Sequence, residues 1–104
     1  MDAERLRAGL LSLGWEPDPV AISGLCAHWE MVREAGRGLS LTSIDDDDEA
    51  LDRHYLDSAA VLGALLPMGI GPQGEAVVAD LGSGAGFPGL VLALLAPRWG
   101  VQLI

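Results

Sequence analysis

The sequence predicts an α/β fold in which a helical N-terminal segment precedes the first βαβ unit of a parallel sheet. Over residues 1–66 the apolar residues recur every three or four positions, which is the spacing of helices packed on one face. From residue 76 the pattern changes to a short apolar run, a glycine-rich loop, an apolar segment of helical length and a second apolar run. We therefore divide the chain into a helical segment, residues 1–70, and the start of a sheet domain, residues 71–104.

Local signals set the bounds of the first two predicted helices. The first covers residues 3–13, and Gly14 follows it as a C-terminal stop. The second begins at Asp18, an N-cap residue followed by a first-turn proline, and breaks at Gly36. The residues predicted to be buried are Leu6, Leu10 and Leu13 on the first helix and Ile22, Leu25, Trp29 and Val32 on the second. His28 is interpreted as part of the second helix rather than as a base or ligand.

A third helix is predicted over residues 49–66, with Pro67 as its stop. Residues 39–44 connect it to the second helix as a short extended piece. The acidic run at 45–49 is interpreted as a solvated loop and helix N-terminus, where carboxylates suit the helix dipole. It lacks the spacing of an EF-hand, so no metal site is expected. The apolar stripe of the third helix consists of Leu51, Tyr55, Ala59, Leu62 and Leu66.

The loop between the two predicted strands is the part of the chain that specifies chemistry. The apolar run at 76–81, which we expect to be a buried strand, leads into glycines at alternate positions, Gly82, Gly84 and Gly86. Because glycine has no Cβ, it takes positive φ and lets a ligand approach the backbone. A helix over 88–96 would then present unpaired N–H groups to that ligand. The pattern predicts a site for a nucleotide-like cofactor.

Two classes of cofactor compete for this loop. Residues 84–89 also fit the G-x-G-x-x-G fingerprint of dinucleotide-binding oxidoreductases. Asp80 at the strand end gives the order acid-x-Gly-x-Gly-x-Gly, which resembles the first motif of the Rossmann-like S-adenosylmethionine (SAM) methyltransferases. We favour SAM for this reason. The oxidoreductase remains open, as does a non-catalytic interaction module whose glycine loop holds no ligand.

Composition limits the partners and the cellular compartment that the protein can have. Six basic against fifteen acidic residues give a net charge of −9. Any face that binds nucleic acid must therefore be small, or must lie on a part of the protein outside these residues. The single cysteine, Cys26, excludes an internal disulfide and is expected to be a packed thiol in a reducing compartment. The N-terminus lacks a signal-peptide pattern, and no apolar run is long enough to span a bilayer. We expect a cytoplasmic protein without a membrane partner.

Three blocks of the sequence resemble one particular family, the bacterial small-subunit ribosomal RNA guanine-N7 methyltransferases, also called the glucose-inhibited division protein B family. The blocks are Leu-Thr-Ser-Ile at 41–44, Arg-His-Tyr-Leu-Asp-Ser at 53–58, and the glycine loop at 80–89 with its Phe-Pro-Gly ending. Ser40 stands where the family usually has asparagine, and Leu39 where it has an aromatic residue. These departures leave the role of the connection before the third helix unassigned.

The resemblance implies a Rossmann-like SAM-dependent methyltransferase fold, of which this chain is expected to carry the N-terminal half. It further implies 16S rRNA or the small ribosomal subunit as partner, and a monomer at full length; the 104 residues alone are expected to be inactive. Guanine N7 already carries a lone pair, so no catalytic residue is assigned and positioning is the main task of the protein. The residues implied for SAM are Gly82, Phe87, Gly84, Gly86 and Asp80, and those implied for RNA are Arg53 and His54.

Overall fold

A computed structural model describes residues 1–36, 46–82 and 84–104 of the chain. Within these ranges helices precede a pair of parallel strands, and one further helix connects the two strands. The predicted order of helical segment, strand, loop, helix and strand is confirmed. The α-helices are α1 (Ala3–Ser12), α2 (Pro19–Gly36), α3 (Asp47–Ala50), α4 (Asp57–Ala59), α5 (Leu62–Leu65) and α6 (Gly89–Leu95), and the strands are β1 (Val77–Asp80) and β2 (Gly100–Leu103).

The bounds of α1 and α2 follow from their caps. The Asp2 carboxylate accepts a hydrogen bond from the backbone N–H of Arg5 at the start of α1, and Gly14 follows the helix with a φ of 101°. Asp18 accepts from the backbone N–H of Ala21 at 2.8 Å, as its predicted N-cap role requires. The predicted bounds of α1 and the predicted start of α2 are therefore confirmed, and α2 is described as far as Gly36. The predicted extended connection at 39–44 lies outside the described residues.

The third predicted helix is not one regular helix. It starts two residues earlier than predicted, at α3, where Asp46 caps the backbone N–H of Glu49. It then passes through a π-helical turn at Leu51–Leu56, which continues into α4. The carboxylates of the acidic run occupy the first turn of α3, so the interpretation of residues 46–49 as a helix N-terminus is confirmed.

The α-helical part of this segment ends at Leu65, shortly before the predicted stop at Pro67, but two features there were not predicted. Pro67 lies within a 3₁₀ turn, Leu66–Met68, and the chain leaves it through Gly69 at a φ of 83°. A proline is tolerated there because a first-turn N–H needs no helical partner. Leu66, predicted to be buried, is 47% exposed, since the tighter turn rotates it away from the stripe.

The two strands run parallel, with Val77 opposite Gly100 and Asp80 opposite Leu103. The prediction that β1 is a buried strand is wrong for the described residues. Val77 is 93% exposed, whereas Val78 is half-buried, so exposure alternates along the strand. Helix α6 contacts both strands, and Val78 and Val101 pack against the core on that side, which accounts for the alternation.

One hydrophobic core unites the elements. Its members come from α1, α2, the segment 47–68 and α6, and Trp29 is fully buried as predicted. Trp15, which follows α1, and Trp99, which precedes β2, meet edge to face with ring centroids 5.7 Å apart. This contact joins the first helix to the strand pair. The division at residue 70 stays a prediction. The largest fully buried side chains are Trp15, Trp29, Tyr55, Leu6, Leu10, Leu25, Leu51, Leu62 and Val91.

Candidate functional site

The glycine loop adopts the backbone conformation that the sequence predicts. Gly82, Gly84 and Gly86 have φ values of 71°, 54° and 105°, all in the left-handed region that favours glycine. A Cβ added at Gly82 or Gly84 would meet no atom within 4 Å, so the loop is open above these two positions. A Cβ at Gly86 would lie 3.1 Å from the Cβ of Leu90 and 3.4 Å from Nε2 of His28. The first two glycines thus leave the backbone accessible, and the third allows close packing.

Asp80 binds the start of the helix that follows the loop. Its Oδ2 accepts a hydrogen bond from the backbone N–H of Gly89 at 2.9 Å, and the N–H of Leu90 donates to the carbonyl of Gly86 at 2.8 Å. The expectation that α6 presents unpaired N–H groups to a ligand is therefore wrong for these two residues. The physical reason is that a carboxylate at the end of β1 lies within reach of the helix N-terminus and caps it.

The side chain of Phe87 is held by three other rings. It stacks on His54 with centroids 4.6 Å apart and planes at 12°, and it meets Tyr55 and His28 edge to face at 5.1 and 5.2 Å. We call His28, His54, Tyr55 and Phe87 the ring cluster. It fastens the end of the glycine loop to α2 and to the π-helical turn.

His28 is the residue of this region whose role the sequence analysis missed. Its Nε2 lies 2.7 Å from the carbonyl oxygen of Ala85, inside the glycine loop, and its Nδ1 lies 2.8 Å from the hydroxyl of Tyr55. Burial lowers the pKa of His28 and raises the pKa of Tyr55, so both side chains favour their neutral forms. No local pattern in α2 signals this contact, because the partners are far away in the sequence.

A cleft of about 400 Å³ opens beside the ring cluster and brings together the residues predicted to face RNA. Arg53 is exposed and pairs with Glu49 at 2.8 Å, one turn earlier. Burial, and secondarily the charge of Arg53, lowers the pKa of His54. The cleft is lined by Arg53, His54, Asp57, Ser58, Val61, Phe87 and Pro88.

Other candidate features have structural roles. Cys26 is half-buried and burial raises the pKa of its thiol, which is typical of a packed thiol and not of a nucleophile. Asp47 accepts hydrogen bonds from the indole N–H of Trp29 at 2.7 Å and from Arg33 at 3.2 Å. In the described ranges, no group of three or more His, Cys, Asp or Glu side chains could hold a metal ion.

The fold and the site define a class before any comparison. A strand that ends in a carboxylate, a loop of left-handed glycines and a helix packed on a parallel strand pair are typical of α/β proteins that bind a nucleotide-like cofactor. A family model described as rRNA small subunit methyltransferase G, GidB, matches residues 21–104. The chain belongs to this family, and the predicted resemblance is confirmed.

Individual relatives extend the match to nearly the whole chain. The ribosomal RNA small subunit methyltransferase G of Chromohalobacter salexigens is 40% identical over 100 residues, which cover 96% of this chain and 44% of that protein. The proteins of the same name from Symbiobacterium thermophilum and Halorhodospira halophila are 40% and 39% identical, over 95% and 100% of this chain. The chain spans 38% to 46% of the length of these three relatives.

No helix in the part of the chain that the structure describes combines the length and the apolarity that crossing a bilayer requires. The block at 41–44 that contributes to the resemblance lies outside the described residues, as does Ser83 within the loop.

Proposed function

We propose that this chain supplies the glycine loop and part of the RNA-facing cleft of a SAM-dependent methyltransferase that forms 7-methylguanosine in 16S rRNA. The observation that carries the proposal is the backbone of the loop, where Gly82 and Gly84 take positive φ beneath open space directly after Asp80. The name shared by the relatives, ribosomal RNA small subunit methyltransferase G, supports the choice of substrate.

The residues of the loop fit SAM. A side chain at Gly82 or Gly84 would fill the space that a ligand needs, and neither position carries one. Asp80 places a negative charge at the loop, which suits the positive sulfonium and ammonium groups of SAM. Because the ring of Phe87 is packed in the ring cluster, we assign the predicted cofactor contact of this residue to its backbone. Gly86 shapes the turn where the loop packs on α6.

The chemistry explains why the chain needs no acid–base pair. SAM supplies an electrophilic methyl group, and guanine N7 offers a lone pair without losing a proton. The residues of the chain then have to hold the cofactor loop still and place the RNA beside it. Arg53 is an exposed cation at the edge of the cleft and is suited to a phosphate, while His54 joins that edge to the loop through Phe87.

Several broader expectations belong to this proposal. The acidic net charge of −9 limits the basic surface of this chain, and Arg53 is the basic residue that lines the cleft together with His54. We expect the active protein to work as a monomer in the cytoplasm. Since the chain spans less than half the length of the relatives, we expect it to need further chain for activity.

A chimera tests the proposal. The matching segment of the Chromohalobacter salexigens relative is replaced by this chain, and the chimera is expressed in a bacterium that lacks its own 16S rRNA guanine-N7 methyltransferase. We expect 7-methylguanosine to return to 16S rRNA, measured by mass spectrometry of nucleosides, and calorimetry to show SAM binding. Gly82→Val should abolish both, because valine strains a left-handed position and fills the open side of the loop.

The matched control is Gly63→Ala. Gly63 lies in α5, and a Cβ added there meets no atom within 4 Å, so methylation should persist. Thermal protection of the chimera by NAD but not by SAM would establish the oxidoreductase instead. Full cellular function of the Gly82→Val chimera would favour the non-catalytic interaction module.

A further inference from the structure

We propose that His28 is a positioning residue that clamps the cofactor loop at Ala85, and that Tyr55 holds its ring in the one tautomer able to do so. The inference rests on the SAM-binding function proposed above. It assigns a role to a residue that the family resemblance left without one.

The clamp joins distant parts of the chain. Nε2 of His28, on α2, lies 2.7 Å from the carbonyl oxygen of Ala85, which is 57 residues later in the sequence. Ala85 stands between two left-handed glycines, Gly84 and Gly86, and the imidazole lies so close to Gly86 that a Cβ there would be 3.4 Å from Nε2. The ring therefore holds the loop at its middle residue, between the two left-handed glycines.

The partners of His28 determine where its proton lies. A carbonyl oxygen only accepts hydrogen bonds, so Nε2 must carry the proton and donate to Ala85. In the neutral ring Nδ1 is then an acceptor, and the Tyr55 hydroxyl 2.8 Å away donates to it. Tyr55 is fully buried and faces the ring of His28 edge on, at a centroid distance of 5.8 Å. The chain of donors thus runs in one direction, from Tyr55 through His28 to Ala85.

Such a clamp matters because a loop with several glycines has many backbone conformations to choose from. A hydrogen bond to its central carbonyl selects one of them, and cofactor affinity rises with the fraction of loops in the binding conformation. Tyr55 belongs to the π-helical turn Leu51–Leu56, an irregularity that is frequent at functional sites. That turn also carries Arg53 and His54, so one element supports the cofactor loop and lines the RNA-facing cleft.

The tautomer can be measured without any cofactor. In the 104-residue chain labelled with ¹⁵N, long-range proton–nitrogen spectra at pH 7.5 should show the proton of His28 on Nε2 and an unprotonated Nδ1. Tyr55→Phe keeps the ring and removes the hydroxyl, so the Nδ1 resonance should move toward that of an imidazole nitrogen without a hydrogen bond. A proton on Nδ1, or an Nδ1 resonance unmoved by Tyr55→Phe, would overturn the clamp.

Cofactor affinity is measured in the chimera described above. His28→Phe keeps an aromatic ring but removes the donor, and we expect SAM binding to weaken about tenfold, the worth of roughly one hydrogen bond. His28→Gln restores an N–H donor near the position of Nε2 and should recover most of this loss. Rescue by glutamine distinguishes the donor from simple packing of the ring.

The control is Ile22→Ala, which removes a buried side chain of the same helix away from the loop. It should lower the midpoint of urea unfolding without weakening SAM binding. Equal SAM affinity in His28→Phe and the parent, or equal weakening by Ile22→Ala, would contradict the positioning role. If the parent chimera binds no SAM, the proposed function fails, while the tautomer measurement still decides whether the clamp exists.

Discussion

His54 and Phe87 lie face to face, with ring centroids 4.6 Å apart and ring planes at 12°. His54 belongs to the π-helical turn that carries the predicted RNA contacts, and Phe87 belongs to the glycine loop. The residues predicted for RNA and those predicted for the cofactor are therefore in direct contact. Substitutions at the predicted RNA contacts should therefore also alter the cofactor loop.

The first prediction concerns the contribution of the Phe87 ring to stability. Phe87→Ala removes the ring that contacts His28, His54 and Tyr55, and should lower the free energy of unfolding by about 2 kcal/mol, less than for a fully buried phenylalanine. Urea unfolding of the 104-residue chain measures it. Val77→Thr, at a position that is 93% exposed, should change the same quantity by less than about 0.5 kcal/mol. Similar losses in both variants would show that the ring cluster does not anchor the loop.

The second prediction separates two roles of Asp80. Asp80→Asn keeps an oxygen that can accept a hydrogen bond from the N–H of Gly89 but removes the charge. The free energy of unfolding should therefore stay unchanged, while the SAM affinity of the chimera should fall about tenfold. Asp80→Ala removes the cap as well and should cost about 1 kcal/mol of unfolding free energy. Urea unfolding and calorimetry provide the two readouts. Unchanged SAM affinity in Asp80→Asn would limit this residue to capping α6.

The third prediction concerns Gly89, where two segments approach closely. A Cβ there would lie 2.8 Å from Oδ2 of Asp80, 3.0 Å from its Cβ, and closer still to the side chain of Leu103. Gly89→Ala should therefore lower the free energy of unfolding by about 2 kcal/mol, through displacement of β1 from α6. Gly63→Ala should leave it unchanged or raise it slightly, because that position is open and helical. If Gly89→Ala left the free energy of unfolding unchanged, the end of β1 would be shown to move aside easily.

The fourth prediction is a loss of stability on mild acidification. The structure lowers the pKa of both histidines of the chain, His28 and His54, chiefly by burial. The unfolded chain then binds protons first as the pH falls through about 6.5, so the free energy of unfolding should decrease from pH 7.5 to pH 5.5. Urea unfolding across this range measures the slope.

The double variant His28→Gln, His54→Gln supplies the control for this slope. It removes both histidine titrations and should flatten the dependence of unfolding free energy on pH over the same range. A slope that survives in the double variant would assign the acid sensitivity to carboxylates instead.

Local sequence was sufficient for much of the framework. The N-cap at Asp18, the stop at Gly14 and the left-handed glycines of the loop follow from the chemistry of single residues and their immediate neighbours. The family membership likewise followed from short blocks of neighbouring residues. The π-helical turn, the 3₁₀ ending and the exposed face of β1 were not predicted, since they depend on what packs against each element.

The sequence by itself determined the order of elements, the open glycine loop after Asp80 and the family. Only the tertiary structure decided that Asp80 caps α6 and that Phe87 is held by the ring cluster. It also decided that His28 reaches Ala85 across 57 residues. The physical reason is that caps and φ angles are set by neighbouring residues, whereas hydrogen bonds and ring contacts between distant segments exist only after the core has brought those segments together.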